Sequence, residues 1–122
     1  MTGIDNIIHE KSYSFALRII KAYKYLTETK KEFILAKQML RSGTSIGAMI
    51  REAKFAQSRA DFVNKLSIGL KEANETLYWL ELLHDAEYLD DTSFESIHND
   101  GDELTSILVS IVKTSKGINL NS

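Results

Sequence analysis

The chain has 122 residues, enough for one domain with a hydrophobic core, and 43% of them are hydrophobic. The absence of cysteine excludes disulfides, thiolate catalysis and cysteine-based zinc sites, and the absence of proline favours an all-helical chain. The formal net charge of −2 conceals a strong segregation, because residues 1–71 carry 13 Lys/Arg and 6 Asp/Glu, whereas residues 72–122 carry 2 and 11. Such an asymmetry indicates either a basic binding face or complementary surfaces between helices or subunits.

Neither a signal peptide nor a membrane span is predicted. The first residues lack the basic start and apolar run of a signal peptide. The longest uncharged stretches, Ser42–Ile50 and Leu104–Val112, are far shorter than the roughly 20 residues that cross a bilayer. We therefore expect a cytoplasmic protein with no membrane partner.

Apolar residues recur at helical spacing in four blocks, which predict four helices. The first runs from about Asn6 to Thr27 and the second from about Lys31 to Gln57. The third follows Ser58, whose spacing from Asp61 resembles a capping box, and ends near Asp85. The fourth runs from about Thr92 to Lys116, with Gly117 as its C-terminal stop. Short connections make neighbours antiparallel, so we expect one all-α, up-down-up-down four-helix bundle over residues 1–122.

Four glycines interrupt these helices, although each costs a helix about 1 kcal/mol relative to alanine. At 100° per residue they all fall on the inward stripes: Gly43, Gly47, Gly69 and Gly101. Close packing of backbones or large side chains in the core therefore explains them. The Gly-x-x-x-Gly spacing of the first two is not a phosphate loop, because no strand precedes it and no Lys-Ser/Thr pair follows.

Two outward surfaces indicate association with another helix or subunit. The outer side of the second helix is small and largely uncharged, where a solvated face would carry Lys and Glu. The third helix has a second seam at heptad-like spacing, whose apolar members Ile68, Trp79 and Leu82 should be exposed in a monomer. A wide core face with a partly exposed tryptophan is the alternative. The predicted self-association interface comprises Arg41, Ser45, Ala48, Glu52, Lys65, Ile68, Glu72, Glu75, Trp79 and Leu82. We expect Arg41 and Lys65 to pair with Glu52, Glu72 or Glu75, within or between subunits.

The first helix carries basic residues beside a tyrosine on one exposed face. Such a face could bind phosphates and stack a base, but the solvated side of any amphipathic helix has the same composition. The candidate nucleic-acid contacts are Lys11, Arg18, Lys21, Lys24 and Tyr25.

Metal and catalytic sites have weaker signals. Di-iron bundles use Glu-x-x-His pairs, and two such spacings flank the turn between the third and fourth helices: Glu81/His84 and Glu95/His98. Glu28 and Glu32 should lie at the same end of the bundle. Both Glu-x-x-His glutamates fall well off their core stripes, so two surface Glu/His pairs are the preferred interpretation, with no metal or cofactor. Three dispersed histidines support no nucleophilic triad, and we expect no enzymatic activity.

The second and third helices resemble the bacterial four-helix-bundle proteins named after 23S rRNA intervening sequences. The resemblance covers residues 35–83, "LAKQMLRSGTSIGAMIREAKFAQSRADFVNKLSIGLKEANETLYWLELL". The family pattern Leu-Arg-Ser, Thr-Ser-Ile-Gly-Ala and Glu-Ala starts here at Leu40, and Asp-Phe, Lys-Leu, Lys-Glu-Ala, Glu-Thr and Trp-Leu follow from Asp61. Two positions depart from it, since Met49 replaces the usual Asn and Gly69 the usual Ala.

The resemblance implies a closed four-helix bundle that assembles into a ring-like homo-oligomer, a pentamer. Similar bundles are accessory proteins of diversity-generating retroelements, in which a basic pentamer engages RNA and a reverse transcriptase. This chain is acidic, which favours protein partners over RNA. We therefore expect a non-enzymatic, homo-oligomeric assembly or adaptor protein, with RNA association as the alternative and a metal-carboxylate site as a weaker one.

Overall fold

The four predicted helices form a bundle. The computed structural model describes the backbone of residues 3–121 and the side chains of residues 6–117. Within that range the chain folds into α1 (Gly3–Glu28), α2 (Ile34–Lys54), α3 (Arg59–Asp85) and α4 (Asp91–Asn121), with no strand. Each helix packs against its two neighbours, α1 closing the bundle against α4. The connections, residues 29–33, 55–58 and 86–90, are short enough to reverse the chain between adjacent helices.

The core consists of aliphatic side chains at helical spacing from all four helices. Its largest members are almost completely inaccessible to solvent: Ile19, Leu26, Met39, Ile46, Leu80, Leu83, Leu104 and Leu108. One polar contact lies among them, in which the Thr76 hydroxyl donates to Ser42 Oγ at 2.9 Å and so joins α3 to α2. A hydrogen-bonded pair of this kind removes the free-energy penalty of burying two hydroxyls.

The start of α2 lies three residues later than the sequence predicted, and an unexpected residue caps it. The Glu32 side chain is buried and turned back on the helix, where its carboxylate accepts hydrogen bonds from the backbone N–H groups of Ile34, Leu35 and Ala36. The carboxylate thereby satisfies donors that have no partner inside the helix. Lys31, in the turn before it, has a φ of 57°, which allows the chain to reverse.

The prediction for the end of α4 was wrong. The helix continues through Gly117 to Asn121, and none of the described glycines has a positive φ. A glycine stops a helix when it adopts the left-handed conformation, and Gly117 does not adopt it. The capping of α3 was predicted more closely. The backbone N–H of Asp61 donates to Ser58 Oγ at 3.1 Å, and the Asp61 carboxylate accepts from the backbone N–H of Gln57 rather than that of Ser58.

The packing explanation holds at two of the four glycines. A Cβ on Gly43 would lie 2.8 Å from Ile19 Cγ1, and one on Gly101 would lie 3.0 Å from Leu77 and 3.1 Å from Phe15. At Gly47 and Gly69 an added Cβ would make ordinary contacts, at 3.5 Å to Ser12 and 3.4 Å to Met49 respectively. Since the contact at Gly69 is with the Cβ of Met49, the two departures from the family pattern are neighbours across the α2–α3 interface.

Candidate interaction surface

Nine of the ten predicted interface residues lie along one side of the bundle, where α2 packs against α3. The two helices are joined there by an ion pair between Lys65 Nζ and Glu52 Oε1 at 3.2 Å. This confirms one of the predicted pairings within a single chain. We call this side of the bundle the α2–α3 face and define it by Arg41, Ser45, Glu52, Lys65, Ile68, Glu72, Glu75, Trp79 and Leu82.

A polar notch crosses the middle of the α2–α3 face. It is lined by Gln38, Arg41 and Ser42 from α2 and by Glu72 and Glu75 from α3. Burial raises the pKa of the Glu72 carboxyl, the neighbouring Glu75 carboxylate raises it further, and the Arg41 guanidinium opposes both effects. Among the described side chains, no lysine or arginine comes within ion-pair distance of either glutamate. The notch therefore holds two carboxylates, and Arg41 and then Lys71 are the cations that lower the pKa of Glu72.

Of the three apolar residues of the seam, Ile68 is exposed as predicted, whereas Trp79 and Leu82 are less exposed than predicted. Ile68 has 37% of its surface exposed, whereas Trp79 and Leu82 are each half-buried in the single chain. The Trp79 ring packs against the core and meets the Tyr78 ring edge-on at a centroid distance of 5.1 Å. The expectation that Trp79 and Leu82 stand free was thus wrong in degree, because the core face of α3 is wide enough to cover part of both. The buried indole N–H of Trp79 has no acceptor among the described residues.

The α2 residues of the predicted interface are divided between the α2–α3 face and another surface. The Ser45 hydroxyl donates to the carbonyl of Arg41 at 2.7 Å, and the Thr44 hydroxyl donates to that of Leu40 at 2.8 Å, so neither hydroxyl requires an outside partner. Ala48, however, lines a second groove that lies between α1 and α2 rather than the α2–α3 face. Glu52 lines this groove as well, although it also pairs with Lys65 on the α2–α3 face.

The second groove belongs to a surface that the sequence analysis did not identify. It is lined by His9, Ser12, Tyr13 and Ala16 of α1 and by Thr44, Gly47, Ala48, Arg51 and Glu52 of α2. Tyr13 is 62% exposed at its rim, and Leu17, one turn further along α1, is 49% exposed. Two large apolar residues four positions apart and off the core stripe of helix 1 were the available sequence signal. We call this surface the α1–α2 face.

The basic stripe on α1 is partly neutralised within the chain. Lys11 Nζ forms an ion pair with Glu103 Oε1 at 2.7 Å, and Arg18 forms one with Asp100. Arg18 also donates to Ser96 Oγ at 2.9 Å and to the Ser96 carbonyl at 3.2 Å. The other three candidate nucleic-acid contacts, Lys21, Lys24 and Tyr25, remain exposed. The segregated charges of the two halves of the sequence therefore meet across the α1–α4 interface.

The histidines and acids near the α3–α4 turn form separate pairs. His84 Nε2 lies 2.7 Å from Asp91 Oδ1, and His98 Nε2 lies 2.9 Å from Glu81 Oε2. The Phe94 ring stands between the histidines, stacked on His84 at a centroid distance of 4.1 Å and tilted against His98 at 5.0 Å. Across the described range, no three His, Asp or Glu side chains converge as metal ligands would. Neither predicted Glu/His pair therefore forms, because His98 contacts Glu81 and His84 contacts Asp91, and Glu95 takes part in neither contact.

The other two glutamates considered with the metal-site alternative, Glu28 and Glu32, have other surroundings. Glu32 is engaged as the cap of α2, and Glu28 is exposed at the end of α1. The Asp91 hydrogen bond raises the pKa of His84 above its ordinary value, against a smaller opposing effect of burial. This end of the bundle therefore shows ion pairing between α3 and α4.

Among the residues that the structure describes, none of the helices has an apolar stretch long enough to span a membrane.

These helices and surfaces define an all-α four-helix bundle with one polar, notched face and one apolar, grooved face. The chain belongs to the 23S rRNA-intervening sequence protein family, whose sequence profile matches residues 4–110. It is similar to a protein of unknown function from the S23 ribosomal protein family of Bacteroides thetaiotaomicron VPI-5482, which has a crystal structure at 1.70 Å resolution. The two share 59% sequence identity and a TM-score of 0.89 over 90% of this chain and 98% of the other. No curated protein sequence matches this chain significantly.

Proposed function

We propose that the chain is a non-enzymatic adaptor protein that assembles with copies of itself through the α2–α3 face. The observation that carries the proposal is the exposed Ile68 beside the notch that contains Glu72 and Glu75. A partner suited to this surface would cover the exposed isoleucine with apolar atoms and place cations near the carboxylates of Glu72 and Glu75. The proposal takes five copies in a ring as the assembly, because the family resemblance implies that number, and assigns it to the cytoplasm.

The surroundings of the histidines support a role without catalysis. His84 and His98 are hydrogen-bonded to carboxylates, and within residues 6–117 neither histidine pairs with a serine or threonine hydroxyl. A nucleophilic mechanism requires a base within hydrogen-bond reach of its nucleophile. His84 and His98 instead connect α3 to α4 through their acidic partners.

Native mass spectrometry of the untagged protein at low salt tests the proposal, because it reports subunit number together with any bound metal or nucleic acid. We expect a homo-oligomer, and we expect Ile68→Glu to dissociate it, because a further carboxylate would then stand beside Glu72 and Glu75. Ile7→Glu is the matched control, since Ile7 is 46% exposed on α1, one turn before Lys11 on the side that pairs with α4. It should leave the subunit number unchanged.

Either of two results would contradict self-assembly through this face: a wild-type monomer at every concentration, or an Ile68→Glu variant with the parent's subunit number. Ile68 is a better probe than Trp79, because Trp79→Ala would also remove a side chain that packs on the core. A melting temperature that is unchanged in Ile68→Glu shows that the fold has been kept.

Nucleic-acid association is the second candidate function, and the exposed side chains of Lys21, Lys24 and Tyr25 favour it. The resemblance to accessory proteins of diversity-generating retroelements supports RNA as the ligand. Because Lys11 and Arg18 already pair with α4, fewer phosphate contacts remain than the helix 1 stripe suggested. Stoichiometric RNA in the native mass spectrum, lost with salt and on Lys21→Glu, would select this function over the first.

A further inference from the structure

A cavity of about 240 Å³ lies at the end of the bundle where α2 turns into α3. Its interior is formed by apolar side chains from all four helices, and four of them are at most 3% exposed: Ile8, Ile50, Ala53 and Leu66. The half-buried Ile111 is the contribution of α4. An apolar molecule that enters such a space leaves water and makes dispersion contacts with the walls. The interior is therefore suited to an apolar ligand.

The polar residues that line the cavity are gathered at its mouth. Lys54 and Ser58 are exposed there, and His9 is half-buried. Ser58 Oγ accepts a hydrogen bond from the backbone N–H of Asp61, and its own proton remains available for donation to a ligand. None of the described lining residues is an aspartate or a glutamate, and within residues 6–117 no carboxylate lies within ion-pair distance of Lys54. The mouth thus offers hydrogen-bond donors and a positive charge, which complement an anionic group.

The volume of the cavity limits the size of the ligand. A water molecule in the liquid takes up about 30 Å³, so the cavity of about 240 Å³ corresponds to about eight groups of that size. Because a methylene group is similar in size to a water molecule, a straight chain of about eight carbon atoms would fill the cavity. A shorter chain would leave part of the apolar wall uncovered, and a longer one would extend past the mouth.

We propose that the cavity binds a medium-chain aliphatic carboxylate whose anionic group lies at the mouth. The chain contacts Ile8, Ile50 and Leu66. The carboxylate oxygens accept hydrogen bonds from the ammonium group of Lys54 and the hydroxyl of Ser58. None of the residues that define the α2–α3 face lines this cavity, so binding does not depend on self-assembly.

Methyl NMR and calorimetry of the wild-type protein with sodium octanoate test this site. We expect saturable binding of one octanoate per chain, with shifts of the methyl signals of Ile8, Ile50 and Leu66. The methyl signals of Leu26 and Leu83, which are core residues at the opposite end of the bundle, should not move. Octylammonium has the same chain and the opposite charge, and it should bind about tenfold more weakly because the mouth is positively charged.

Two pairs of variants locate the ligand. Ala56 is half-buried in the α2–α3 turn and lines the cavity, so Ala56→Phe should obstruct entry and weaken octanoate binding by about tenfold. Ala86→Phe, the same change at an exposed position of the α3–α4 turn, is its control. Lys54→Gln should weaken binding by about two- to fivefold, as the loss of an exposed ion pair does. Lys37→Gln, at another exposed lysine of α2, should leave the affinity unchanged.

The inference is overturned by a wild-type protein that shows no saturable octanoate binding, or that binds octylammonium as tightly. Methyl shifts spread over the whole core, or equal affinities in Ala56→Phe and Ala86→Phe, would place the ligand elsewhere and overturn it as well. The NMR measurement uses the wild type alone, so it decides the question even where a variant does not fold. The subunit number of the same samples reports on self-assembly separately.

Discussion

Individual glycines in this bundle have different roles although their sequence positions look equivalent. Gly43 and Gly47 are four residues apart on the same helix, and both were placed on its inward stripe. The decisive difference is the side chain opposite each one. Gly43 faces Ile19, a fully buried β-branched residue, whereas Gly47 faces the small Ser12. A helical wheel gives the direction of a residue but not the size or rigidity of what it meets.

Alanine substitution should therefore have opposite effects at the two positions. Gly43→Ala would place a methyl group 2.8 Å from Ile19 Cγ1, and because Ile19 is fully buried the overpacking should outweigh the gain in helix propensity. We expect the free energy of unfolding to fall by about 1–2 kcal/mol. The Cβ added by Gly47→Ala would lie at an ordinary contact distance from Ser12, so this substitution should raise the free energy of unfolding by up to about 1 kcal/mol. Urea denaturation of both variants measures the difference, and equal effects of the same sign would refute the packing argument.

The helices themselves were largely predictable, because apolar periodicity depends only on the identity of side chains along one chain. Their ends were less so. The carboxylate of Glu32 caps α2 from outside the helix, a role that depends on how the preceding turn folds back. Gly117 was taken as a stop because glycine commonly ends helices, but the conformation after it decides that outcome. The capping of α3 was predicted better because Ser58 and Asp61 are close in sequence and make local contacts.

The junction of α3 and α4 should contribute to stability in a pH-dependent manner. Its central contact joins His84 on α3 to Asp91 at the start of α4, and hydrogen bonding to Asp91, then to Asp85, raises the pKa of His84 above 6.5. Because the pKa of His84 is higher in the folded chain, the contribution of the His84–Asp91 contact to stability is fully present below the unfolded-state pKa of about 6.5. This contribution is lost as the pH rises through the folded-state pKa of His84.

Asp91→Asn tests this junction by removing the partner charge. The difference in melting temperature between wild type and variant should be larger near pH 6 than near pH 8, since a smaller fraction of His84 is protonated at the higher pH. Asp91 also begins α4, where a carboxylate favours the helix dipole, but that effect is constant over this pH range. A difference that is equal at both pH values would show that the His84–Asp91 contact does not contribute.

For the whole molecule, the segregation of charge along the sequence becomes a contact in space. The basic helix α1 and the acidic helix α4 lie side by side, and Lys11 and Arg18 bind Glu103 and Asp100 across their boundary. Composition alone is consistent both with this arrangement and with a basic binding face. The arrangement depends on the register between helices that are distant in the sequence. The interaction surfaces were predicted unevenly for the same reason. The seam on α3 was visible in its spacing, whereas the groove between α1 and α2 exists only when the two helices pack.

If the α1–α4 ion pairs hold the bundle closed, Arg18 and Asp100 should be energetically coupled. A double-mutant cycle with Arg18→Ala and Asp100→Ala should give a coupling free energy of about 0.5–1 kcal/mol at low salt, typical of an exposed pair, and less at high salt. The Arg18→Lys variant should retain only part of this coupling free energy, because Arg18 also donates to Ser96 through a second guanidinium nitrogen. Coupling near zero at low salt would mean that aliphatic packing alone closes α1 against α4. Arg18 would then be free to exchange Asp100 for an external anion, which would strengthen the case for nucleic-acid association.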